Sequence, residues 1–192
     1  MLKNITLITL VTFSSIWLCS CNEDYTNEIG HVNGLIKILD SSEEVLHDVD
    51  TTTLFEMTIF IKQSIKKIQS KNDTLTKEAA LEADQFVGRL KSLYNLSNNY
   101  KKYQKEIDLI RTQLNNLKQD LNNGIISKEK FPAYYENEQG AVITINENIN
   151  HATNGISERI KKMKENKAAF EKLIDDPKSY MSYYKNNNNA SN

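Results

Sequence analysis

Apolar residues recur along this chain at three- and four-residue steps, the spacing that lines one face of an α-helix. Leu39, Leu46, Val49, Leu54, Met57, Ile61, Ile65 and Ile68 predict a first helix ending near Ser70. It starts near Leu35 or at the capping box Ser41-x-x-Glu44, where the Ser oxygen takes an orphan backbone N–H and the Glu reaches back. The β-branched run Thr51-Thr52-Thr53 weakens its middle. Lys71-Asn72-Asp73 reads as a turn, with Asp73 or Thr74 as N-cap of the next helix.

The clearest series follows: Ala79, Ala83, Phe86, Leu90, Leu93, Leu96, Tyr100, Tyr103, Ile107, Ile110, Leu114, Leu117 and Leu121. It predicts a helix to about Asn122, roughly 70 Å long at about 1.5 Å per residue. The doubled three-residue step Leu90-Leu93-Leu96 is a stammer, which overwinds a coiled coil locally. Asn122-Asn123-Gly124 supplies a C-terminal stop, Ser127 can cap a third helix, and Pro132 is tolerable only near that start. Tyr135, Val142, Ile145, Ile149, Ala152, Ile156, Ile160, Met163, Phe170 and Ile174 mark its stripe, and Asp176-Pro177 ends it.

These elements define an all-α protein: an elongated antiparallel three-helix bundle over residues 35–176, or a coiled-coil-like helical hairpin with a packed third helix. Residues 21–34, with Gly30 and Gly34, read as a tether. Residues 177–192 read as a polar, disordered tail, with Tyr180, Tyr183 and Tyr184 placed to fold back on the bundle. Only six Gly and two Pro occur in 192 residues, which favours few, long elements.

Basic and acidic residues nearly balance, 24 against 25, and are interspersed. No basic patch is available to counter a phosphate backbone, which argues against a nucleic-acid partner.

The first residues add an address. Met1-Leu2-Lys3-Asn4 is a short positive lead, and ITLITLVTFSSIWL from Ile5 to Leu18 is uncharged, the layout of a signal peptide over residues 1–20. That run is short of the roughly 20 apolar residues needed to cross a bilayer. Leu18-Cys19-Ser20-Cys21 resembles a bacterial lipobox, with a large aliphatic residue three positions before the modified Cys and a small one just before it. The resemblance implies a bacterial lipoprotein whose Cys19 leaves with the signal peptide and whose Cys21 carries acyl chains such as palmitate. Two or more chains make a stable membrane anchor. Asn22-Glu23-Asp24-Tyr25 is similar to the acidic tag of surface-exported lipoproteins of the Bacteroidota, which implies an outer-membrane location, surface-exposed or facing the periplasm.

Candidate chemistry is sparse. Glu28-x-x-His31 and Glu44-x-x-His47 have the Glu-x-x-His spacing that di-iron bundles use. Folding the chain about turns near residues 72 and 124–125 places His47 beside about Ser97 and Ala152. His47 and His151 then share a level with Glu44 and Glu147 one turn away, amid Asp48, Asp50, Thr51, Thr52, Thr53, Asn95, Asn98, Asn99, Thr153 and Asn154. This polar belt is the candidate for a weak divalent-metal site or for a docking waist where the bundle bends. Its alternative is an ordinary solvated face. No cofactor is implied. There is no G-x-S-x-G, H-E-x-x-H or P-loop, and the processed chain has no free thiol, so the reading is non-enzymatic. Asp50-Thr51-Thr52 and Asp73-Thr74-Leu75 resemble the O-glycosylation pattern of Bacteroidota, which implies Thr51 and Thr74 as acceptors.

The expected function is a lipid-anchored, non-catalytic helical envelope protein, a spacer or docking module that meets another envelope protein through a helix face. Tyr94, Tyr100, Tyr103, Tyr134 and Tyr135 are its aromatic candidates. The alternatives are a small-ligand or metal-binding bundle using the His47/His151 belt, and an immunity or inhibitor lipoprotein.

Overall fold

The computed structural model describes residues 24–70 and 77–176. The signal segment, Cys21, Asn22-Glu23, the Asp73/Thr74 cap and the tail with its three tyrosines lie outside the described residues. Among those described there is no strand. Five helices pack against one another: α1 (Thr26–His47), α2 (Thr51–Ser70), α3 (Lys77–Asn122), α4 (Phe131–Thr153) and α5 (Ile156–Asp175). The long α3 touches all four others; α1 also packs on α4, and α2 on α5. No helix among the described residues is long and apolar enough to cross a membrane.

Helix α1 begins at Thr26, not Leu35, which corrects the expected tether over 21–34. Val32 and Leu35 are buried and start the series Val32, Leu35, Leu39, Ser42, Leu46, with alternating three- and four-residue steps. Tyr25 and Ile29 pack on the same core. Gly30 and Gly34 stand on the solvent side, where a Cβ added at either would meet nothing within 4 Å. Each costs about 1 kcal/mol of helix propensity. Burying Val32 and Leu35 returns roughly 2 kcal/mol apiece, so the helix forms through the glycines. Ser41 and Glu44, offered as a capping box, are therefore mid-helix. The start is organised instead by Asp24, whose Oδ1 accepts from the Thr26 backbone N–H at 3.0 Å.

The first and third expected helices are each interrupted. Helix α1 ends at His47, and Asp50 restarts the chain as N-cap of α2: its carboxylate accepts from the Thr53 N–H at 3.0 Å and from the Thr53 hydroxyl at 2.6 Å. These bonds hold the Asp50 carboxyl below its ordinary range. A carboxylate with a depressed folded pKa stabilises the fold above its unfolded pKa, and that contribution disappears as pH falls through the folded value. Asp50→Ala should therefore lower the melting temperature at pH 7. Asp50→Asn, which still caps, should lose less, and the gap between wild type and Asp50→Ala should narrow as pH falls through the lowered Asp50 carboxyl pKa, as thermal melts followed by circular dichroism would show.

The second interruption is Asn154-Gly155. Gly155 has φ +66°, a left-handed conformation costly for a residue with a Cβ. Arg159 Nη1 donates to the Asn154 carbonyl at 3.0 Å, occupying an acceptor the turn leaves open. Helix α3, by contrast, is continuous and ends as expected. Gly124 (φ +65°) donates to the Leu121 carbonyl at 3.0 Å and Ile125 to that of Asp120 at 2.9 Å, a Schellman termination.

One core runs along α3. Leu90, Leu93 and Leu96 are all buried, so the stammer keeps its three residues inside. A smaller cluster of Ala83, Phe170, Leu173 and Ile174 closes the α2/α5 end, where the Phe86 and Phe170 rings stack at 3.6 Å. Among the described residues the polar side chains of Ser42, Thr53, Thr58 and Ser64 are also buried. Thr58 donates to the Leu54 carbonyl at 2.8 Å, and the Ser42 hydroxyl is 3.0 Å from the Ile38 carbonyl and 2.8 Å from Asn146 Oδ1. These two hydroxyls thus keep partners inside the core.

Candidate functional site

The two interruptions come to one level. Ser42 meets Asn146 and the His31 ring meets that of Tyr135 at 5.8 Å, so α1 and α4 run in the same direction in a register that carries His47 to the level of His151. The gap between α1 and α2 thus faces the gap between α4 and α5. Lys164 Nζ, on α5, lies 3.8 Å from Asp50 Oδ2 across this waist. A shallow groove there is lined by Asp48, Asp50, Ser157, Ile160, Lys161, Lys164 and Glu165.

The register against α3 differs from the arithmetic. Phe55 meets Tyr100 edge-on at 6.2 Å. The Arg111 guanidinium bonds to Asp40 and Glu43, contacts that hold its proton still more firmly than usual. These pairings bracket His47 between Tyr100 and Arg111, so it does not stand beside Ser97. The turn near residue 72, about which that arithmetic folded the chain, lies outside the described residues.

His151 does face the predicted Asn residues. With Ala152 it lines a groove against Ser92, Asn95, Leu96, Asn99 and Tyr103 of α3. Asn99 Nδ2 donates to the Asn95 carbonyl at 2.9 Å, and the Ser92 hydroxyl oxygen is buried without a hydrogen-bond partner.

The belt residues do not converge on one point. His47 and His151 are exposed, Glu44 and Glu147 lie on the outer faces of α1 and α4, and His47 Nε2 lies 3.7 Å from Glu43, not Glu44. Among the described residues no group of three or more His, Cys, Asp or Glu side chains is placed to hold a metal ion. His31, of the first Glu-x-x-His pair, lies on α1 with its ring against Tyr135. Thr51 is the first residue of α2 and half-buried; Thr74 lies outside the described residues.

Of the aromatic candidates, Tyr100 is buried, and desolvation pushes its hydroxyl pKa up. Tyr94 lies under the Lys62 ammonium, 5.4 Å from its ring centre. Tyr103 and Tyr135 are half-buried against the core. Tyr134 is 49% exposed and stays available for a contact. Sequence reasoning missed the exposed apolar residues Ile38, Leu109 and Ile143. Their signal was their absence from every buried stripe.

Compared with protein-family models, with curated proteins and with solved structures, the chain matches none.

Proposed function

We propose that this chain is a lipid-anchored, non-catalytic helical protein of the bacterial outer membrane, working as a spacer or docking module for another envelope protein. The observation that carries this reading is the juxtaposition of the uncharged run ending at Cys21 with a packed helix that starts at Thr26. Four residues intervene, about 14 Å of chain when fully extended, so an acyl group on Cys21 would hold this end of the helices against the bilayer. The helices themselves read as an elongated antiparallel bundle of three legs: α1–α2, the continuous α3, and α4–α5. Such a bundle buries its apolar residues in a narrow core and leaves long helix faces for recognition.

Asp24 and Tyr25 belong to the packed end: the Asp24 carboxylate accepts from the Thr26 backbone N–H, and the Lys128 ammonium lies 5.8 Å from the centre of the Tyr25 ring.

A second reading, a site for a small neutral polar ligand, draws on the groove of Asn95, Asn99, Tyr103 and His151 with its unpartnered Ser92 hydroxyl. Metabolic labelling with a clickable palmitate analogue tests the first reading. The wild-type chain should take up label and Cys21→Ser should not. Equal labelling of the two would remove Cys21 as the anchor.

A further inference from the structure

We propose that a second copy of this chain docks on the α3–α4 face, forming a two-fold dimer in which the two molecules lie antiparallel. The face combines a knob, a hole and a pair of opposite charges. The knob is Leu109, 58% exposed on α3. The hole is the apolar groove beside it, floored by Ile110, Ala141 and Ile145 and open at Gly140. A Cβ on Gly140 would meet nothing within 4 Å, so the space above it is free for a side chain from outside.

The charges follow from the register. Along this seam α3 and α4 run antiparallel: Asn95 to Tyr103 face His151 and Ala152, while Leu109 to Gln113 face residues from Gly140 to Asn148. Reversing a second molecule makes its α4 parallel to the first molecule's α3. Lys105 precedes Leu109 by one turn, as Glu136 precedes Gly140 by one turn. Seating Leu109 over the second copy's Gly140 therefore brings Lys105 opposite that copy's Glu136, and the two-fold axis repeats both contacts. Lys105 and Glu136 are exposed, and neither is in an ion pair among the described residues. A parallel arrangement offers no such match.

In this register the second copy's α4 lies along α3 from Tyr100 to Asn122, a seam about 33 Å long. With two helices side by side it offers on the order of 600 Å² per copy, at the low end of specific interfaces. The association is accordingly weak, in the micromolar range, and salt-sensitive. It does not rest on the lipid anchor; where both copies are anchored in one bilayer, it lays them along the surface.

Sedimentation equilibrium of the full chain in density-matched detergent tests the pairing. The expected result is a reversible dimer at tens of micromolar in low salt. Leu109→Asp should abolish it. Lys105→Glu or Glu136→Lys alone should weaken it about tenfold, and the two combined in one chain should restore it. All these positions are exposed, so circular-dichroism melts should stay unchanged and separate loss of docking from loss of fold. A monomer at every concentration, a dimer indifferent to Leu109→Asp, or a double reversal no better than either single one would overturn the proposal.

Discussion

Val32→Asp is expected to remove about 4 kcal/mol or more of folding stability, since it sets an unpaired carboxylate at a fully buried position. That is a large share of the roughly 5–15 kcal/mol that holds a typical domain together. The milder Val32→Ala should cost about 2 kcal/mol through lost burial and the space left behind. Urea unfolding followed by circular dichroism would read both. A tether at this position would leave the midpoint unchanged for either substitution, so the experiment asks directly whether the packed structure begins at Tyr25 or at Leu35. The neighbours of Val32 make the answer specific. Tyr25 and Ile29 join the same core, and the His31 and Phe131 rings both reach Tyr135. An acid at Val32 would therefore disturb the packed start of α1.

The second large effect lies on α3. Leu96 is 1% exposed and occupies the last place of the stammer. A three-residue step turns the helix face by about −60° and a four-residue step by about +40°, so two threes in succession swing the buried stripe around α3. The swing falls close to where α3 exchanges α2 and α5 for α1 and α4 as neighbours. Leu96→Ala should cost about 3 kcal/mol in urea unfolding. Leu109→Ala, on the exposed side of the same helix, should fall within about 0.5 kcal/mol of wild type. A Leu96→Ala loss no larger than that of Leu109→Ala would mean that the stripe does not turn inward here.

The helical stripes were legible because burial on a helix leaves a period in the sequence, and the long α3 kept that period throughout. Leu173 escaped because Phe170 and Ile174 already satisfied a four-residue step. The interruptions were hidden for a related reason: Ala152 and Ile156 keep the step of four across Asn154-Gly155, so the stripe runs on while the backbone stops. An Asn-Gly pair is a turn signal in its own right, and the φ of +66° at Gly155 shows it acting. At the other break, the β-branched Thr51-Thr52-Thr53 was visible as a weakness, but Asp50 before it carried the stronger message as an N-cap.

Gly30 and Gly34 misled in the opposite direction. Composition marks them as tether, yet their solvent-side positions let Val32 and Leu35 decide the structure. Ser42 and Ser64 are buried beside the apolar series, where their polarity kept them out of the expected stripe. Ser42 fits because its hydroxyl finds the Ile38 carbonyl. The waist was partly legible: His47 and His151 share a level as the spacing implied. Exposure depends on which way each helix is rotated, and there the imidazoles turn outward.

Acylation at position 21 is the claim on which location and partner both depend. Detergent-phase partitioning of the full chain expressed in a bacterial host, beside its Cys21→Ser variant, tests it most directly. Wild type is expected in the detergent phase, and the variant in the aqueous phase or retained as the longer unprocessed precursor. Wild type found in the aqueous phase would contradict it.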